Sequence, residues 1–72
     1  MRFTPAQYDT LERAIVDRRR IALLRRGTEY LVVPARLYRS AGREVVDARH
    51  PTTGETMTFA LDELEGMEVV GG

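Results

Sequence analysis

The 72-residue chain has no cysteine and no lysine, and its single histidine is His50. Without cysteine, neither a disulfide nor a thiolate metal site can support the fold. One histidine falls short of the three or four ligands that a metal site needs. With no lysine and only His50 as a base, Ser40 lacks the partner that would make it a nucleophile. No apolar run approaches the roughly 18 residues of a membrane helix. The opening "MRFTPAQYDT" has no apolar stretch of the signal-peptide kind. Gly27, Gly42, Gly54 and Gly66 stand singly in turns, so no glycine-rich phosphate loop is present. These absences predict a soluble cytoplasmic domain with no catalytic residue, no metal, no cofactor and no membrane contact.

What is present is a globular composition, 43% apolar. The length predicts one domain, residues 1–72, that buries only about 60% of its unfolded surface. Charge is unevenly spread. Residues 1–50 hold 11 arginines against six acids, a net of +5, and residues 51–72 hold five acids and no base, a net of −5. The halves are expected to be electrostatically opposed. Arginine forks suit phosphate and carboxylate. Coding bias toward arginine accounts for the same composition with no anionic partner.

The first element is a helix over about 5–19. Thr4 is an N-cap, Pro5 falls at the first helical position, and Gln7 completes a capping box. Phe3 and Tyr8 occupy the positions of a hydrophobic staple. Tyr8, Leu11, Ala14 and Ile15 form one apolar stripe. Arg18, Arg19 and Arg20 would close the helix, meeting its last carbonyls and its dipole. The period then changes. "IALL", "YLVVPARLY", "EVVDAR", "TMTFAL" and "MEVV" read as five strands, with "DELEG" as a single helical turn before the last. Pro34 marks an edge or a bend, because it removes a ladder donor. Gly42 centres a turn, and "HPTTGE" is a loop. Met57, Phe59 and Leu61 share one face of their strand. The fold class is therefore mainly β with an N-terminal helix, a five-stranded antiparallel Sm/SH3-like barrel over about 20–70.

From "AIVDRRR" to "GMEVV" the chain resembles the WYL domain, a bacterial Sm-like barrel. The resemblance is carried by Pro34-Ala35-Arg36-Leu37, by the turn at Gly42, and by the closing segment Met57 to Leu64. It implies a binding module of transcription regulators, usually attached to a DNA-binding domain, that contacts nucleic acid or a small anionic effector through aromatic and arginine side chains. The residues that give the family its name fall here on Glu44, Val45 and Val46, and two family arginines fall on Met57 and Glu63. At this length the chain is expected to be a stand-alone barrel or a fragment cut from a longer protein.

The candidate contact residues for a nucleic acid or anion are Arg18, Arg19, Arg20, Arg25, Arg26, Arg36, Arg39 and Arg43. Gathered on one face they would neutralise several phosphates in a salt-dependent way, with Tyr30 and Tyr38 able to stack on bases. Scattered, they are a solvated surface. A different class of function is a protein-interaction module. An acidic protein surface, or the acidic half of a second copy, would meet the basic half, and strand-edge pairing would extend the contact into a ring or filament. A third reading is an effector pocket lined by Val45, Met57 and Phe59. The acids Asp62, Glu63, Glu65 and Glu68 read as a solvated edge.

Overall fold

Thr4 opens helix α1 (Pro5–Asp17) in a computed structural model that describes residues 3–71. Residues 1, 2 and 72 of the expected domain lie outside the described residues. The capping box forms. The Gln7 N–H donates to Thr4 Oγ1 at 3.2 Å, and the Thr4 N–H donates to Gln7 Oε1 at 2.8 Å. Phe3 and Tyr8 meet edge to face, with ring centroids 5.5 Å apart. These local contacts fix the direction in which the helix enters. Leu11 and Ala14 are then buried and Ile15 half-buried against the sheet.

The helix stops at Asp17, short of the expected 18 or 19. Arg18 turns into the left-handed region, with φ 53° and ψ 44°. Its backbone N–H bonds Ile15 O at 3.3 Å, and the Arg19 N–H bonds Ala14 O at 2.9 Å. Backbone amides therefore satisfy the carbonyls expected to be met by arginine side chains.

Five strands follow: β1 (Ile21–Arg25), β2 (Thr28–Ser40), β3 (Arg43–Arg49), β4 (Thr56–Ala60) and β5 (Gly66–Val69). A 3-10 turn at Leu61–Glu63 precedes β5. All pairings are antiparallel, in the order β4-β3-β2-β1-β5. Both tight hairpins have two central residues at positive φ: Arg26 and Gly27 at 51° and 75°, Ala41 and Gly42 at 51° and 77°. That is the turn geometry whose twist matches the flanking strands.

β2 serves two neighbours. Thr28 to Val32 pair with β1, and Val33 to Ser40 pair with β3. The change comes at an irregularity between Pro34 and Arg36, where Pro34 pairs with Ala48 but Arg36 pairs with Asp47. Ala35 is the extra residue of a β-bulge, which bends the strand. The bend expected at Pro34 is this one.

The sheet curls like a barrel but does not close, since β4 and β5 do not pair among the described residues. Both are short, at 5 and 4 residues. Leu61 and Leu64 from the intervening turn instead enter the core. Leu11, Ile21, Leu23, Val32, Val46 and Phe59 complete it, all at 1% exposure or less. Each such side chain stabilises by about 1.5–3 kcal/mol. No helix of the described residues is long and apolar enough to cross a membrane.

Leu11 is the residue by which α1 grips the sheet. Leu11→Ala is expected to lower stability by about 2–5 kcal/mol, read from urea unfolding, and so to take most of what a domain this small has.

Candidate functional site

Register assigns each arginine a side. Beyond the bulge, Arg36 and Tyr38 lie opposite Asp47 and Val45, on the outer surface. Leu37 and Arg39 lie opposite Val46 and Glu44, on the side of the core and α1. Arg36 and Arg39 therefore point to opposite sides of β2 and do not share a face.

On the outer surface Asp47 gathers a network. It accepts hydrogen bonds from the Thr58 hydroxyl at 2.7 Å, the Tyr38 hydroxyl at 3.1 Å and Arg36 at 3.3 Å. The Arg36 guanidinium also lies 4.2 Å above the Tyr38 ring. The Thr58 bond holds the Asp47 carboxyl below the usual carboxylate range; partial burial opposes it, and Tyr38 and Arg36 assist. Tyr38 is thus occupied by packing and hydrogen bonding.

On the other side Tyr8 donates to Glu44, which raises the Tyr8 pKa. Arg39 lies 4.0 Å from the same carboxylate. Arg43 bonds both Asp62 and Glu63, and these bonds hold the guanidinium more firmly protonated and the Asp62 carboxyl below its usual range. The oppositely charged halves of the sequence therefore meet within the molecule. Arg25 is half-buried, with its guanidinium 4.9 Å from the Phe59 ring centroid and 5.1 Å from that of Tyr30. Tyr30 in turn packs edge to face on Phe59 at 5.3 Å. Arg26 forms the β1–β2 turn at the opposite end of β2 from Arg39.

Arg39 and Arg43 line one recess together with Glu44 and Asp62, and three more of the expected arginines come together elsewhere. Arg18, Arg19 and Arg20 line a recess with Val70 and Gly71. Arg18 also lines an adjoining recess with Ile15, Val33, Pro34, Ala35 and Arg49. Among the described residues, none of Arg18, Arg19, Arg20 and Arg49 has a carboxylate within 4.0 Å. Arg49 was not among the candidates. Its place is set by the pairing of Val33 with Arg49 just before the bulge, and no local pattern in the sequence shows that pairing.

The pocket expected from Val45, Met57 and Phe59 does not exist. Phe59 is fully buried and pairs with Val46, whereas Val45 lies on the opposite surface, paired with Ala60. Strand alternation separates them. His50 organises its own loop, its Nδ1 accepting the N–H groups of Thr52 at 3.2 Å and Thr53 at 3.3 Å. Among the described residues no group of three or more histidine and acidic side chains could hold a metal.

The architecture is that of a small helix-bearing, five-stranded antiparallel unit with a curled, open sheet. No family model matches the chain. No curated protein matches it. Among solved structures it is similar to proteasome accessory factor B/C (PafBC) of Arthrobacter aurescens, with a TM-score of 0.78 and 25% identity. The match covers 100% of this chain and 13% of PafBC.

Two outcomes follow from this geometry. Asp47 is depressed, so the stability it contributes is present above its unfolded pKa and is lost as pH falls through the lower folded value. Below about pH 4 the wild type should therefore lose more stability than Asp47→Asn, by urea midpoints at acid and neutral pH; equal losses would contradict the network. At the helix end, a left-handed arginine is disfavoured by roughly 1–2 kcal/mol. Arg18→Gly should raise the thermal midpoint by several degrees.

Proposed function

We propose that the chain is a non-enzymatic, WYL-like regulatory module that contacts single-stranded nucleic acid through Arg18, Arg19, Arg20 and Arg49, with a role in transcription regulation. The observation that carries this reading is the contrast among the arginines. Arg36, Arg39 and Arg43 are matched by carboxylates, and Arg25 is stacked on aromatic rings. Among the described residues, Arg18, Arg19, Arg20 and Arg49 surround two adjoining recesses with no carboxylate within 4.0 Å of them. Unmatched guanidinium groups around a concave surface suit a run of phosphates, because each fork can bind two oxygens.

The family resemblance and the likeness of the whole chain to part of PafBC support a regulatory module. The residues at the family's own positions argue for a different contact surface. Glu44 is engaged with Tyr8 and Arg39, Val46 is in the core, and Glu63 holds Arg43. An anion brought to that side would meet Glu44, Asp62 and Glu63. The arginine recesses lie elsewhere, at the junction of α1, β1 and the end of β5.

Among the described residues no aromatic ring lines these recesses, so binding should be electrostatic and tolerant of sequence. Four arginines on a single strand give a slope of log K against log salt of about −3. Fluorescence anisotropy with a labelled oligonucleotide at low salt should show this slope. Arg18→Glu, Arg19→Glu and Arg49→Glu together should abolish binding, while Arg36→Ala, Arg39→Ala and Arg43→Ala together should leave most of it. Loss only in the second set would refute the assignment.

A further inference from the structure

The outer surface of β1, β2 and β5 is apolar at its centre and charged at its margins. The three strands lie side by side, so their outward residues form three rows. Val70 and Arg20 make the first row, with the Val70 N–H bonded to Arg20 O at 3.0 Å, and Val33 flanks it, one residue past the Ile21–Val32 pair where β1 and β2 part. Glu68, Ala22 and Leu31 make the second. Gly66, Leu24 and Glu29 make the third. Leu31 is 41% exposed and Leu24 36% exposed, two of the three large apolar side chains most open to water. Ala22, Val33 and Val70 are half-buried beside them. Gly66 adds no bulk, and a Cβ there would lie only 3.7 Å from Leu24 Cβ.

The charges on this face differ from those on the other side of the bulge. Arg36 and Asp47 pair within the chain. Among the described residues, Arg20, Glu29 and Glu68 share the β1–β2–β5 face and none has an opposite charge within 4.0 Å. A surface with an apolar centre and unmatched charges of both signs is complementary to itself.

We propose that this face binds a second copy of the chain, forming a two-fold dimer by sheet-on-sheet packing. A two-fold axis through Ala22 stacks Ala22 on its own copy. It sets Leu31 against the partner's Leu24, and Arg20 against the partner's Glu68. Val33 then covers the space left by the partner's Gly66. The strands of the two sheets cross at nearly a right angle, one of the two ways in which sheets pack. Glu29 meets its own copy at the wet rim, where repulsion is weak. A two-fold contact closes on itself. It therefore gives a dimer, in contrast to the ring or filament expected of basic and acidic halves meeting head to tail.

The face is small. A standard interface takes about 800 Å² from each partner, roughly a sixth of this chain's 4814 Å² of accessible surface. Three short strands offer less, so the dimer is weak. The inference does not rest on nucleic-acid binding, and because Arg20, Val33 and Val70 also line the arginine recesses, a second copy and an oligonucleotide compete for them.

Sedimentation equilibrium of the chain from about 10 µM to 1 mM tests it, since a small interface places dissociation in that range. The wild type should pass from monomer to dimer and remain dimeric in high salt, because the centre is apolar. Leu31→Glu should be monomeric throughout. Arg20→Glu and Glu68→Arg should each weaken the dimer about tenfold, and the double variant should regain the affinity that the singles lose. A wild type that stays monomeric at 1 mM overturns the proposal and leaves the face to a partner of different sequence. A Leu31→Glu dimer as tight as the wild type overturns it also. If Leu31→Glu fails to fold, the charge reversal carries the test, and a double variant no tighter than the singles overturns the proposal.

Discussion

The β-bulge at Ala35 is the constraint on which the rest depends. A 13-residue strand cannot pair along its whole length with both neighbours of a small curled sheet. Pro34 has no N–H to donate, and the extra residue after it lets β2 leave β1 and take up β3. The bulge also resets alternation. Tyr30, Val32 and Pro34 face the core before it, and Leu37 and Arg39 face that side after it. Arg36 is thereby turned outward to Asp47, and Arg39 is turned toward Glu44. The same register brings Arg49 opposite Val33 and into the recess of Arg18. One inserted residue thus turns Arg36 and Arg39 to their acids and brings Arg49 to the open recess.

How much of this is legible in the sequence follows the distance over which each feature is encoded. The start of α1 is fully legible, because Phe3, Thr4, Gln7 and Tyr8 lie within six positions and their chemistry is local. The turn at Gly42 and the alternation of Met57 and Phe59 are legible for the same reason, although Leu61, expected on the same strand, begins the 3-10 turn. The end of α1 is not. Arginine is a good helix former, and nothing nearby announces that Arg18 will take a left-handed conformation that glycine usually fills.

The candidate site is less legible than the fold. Which arginines are matched depends on contacts such as Arg43 with Asp62, 19 residues apart, and Arg36 with Asp47 across a hairpin whose register the bulge shifts. Sequence spacing alone treats all eight candidates alike. The absence of Arg49 from that set has the same cause. The opposed charge of the two halves of the chain is real in sequence, yet part of it is consumed inside the molecule by Arg43, Asp62 and Glu63.

The central claim is that the open arginines, and not the matched ones, receive the anionic partner. The most direct measurement is a backbone amide NMR titration of the chain with a single-stranded oligonucleotide. The account predicts shifts concentrated at Arg18 to Ile21, Val33 to Ala35, Arg49 and Val70. Shifts concentrated instead at Arg39, Arg43 and Glu44, or no shifts at low salt, would contradict it.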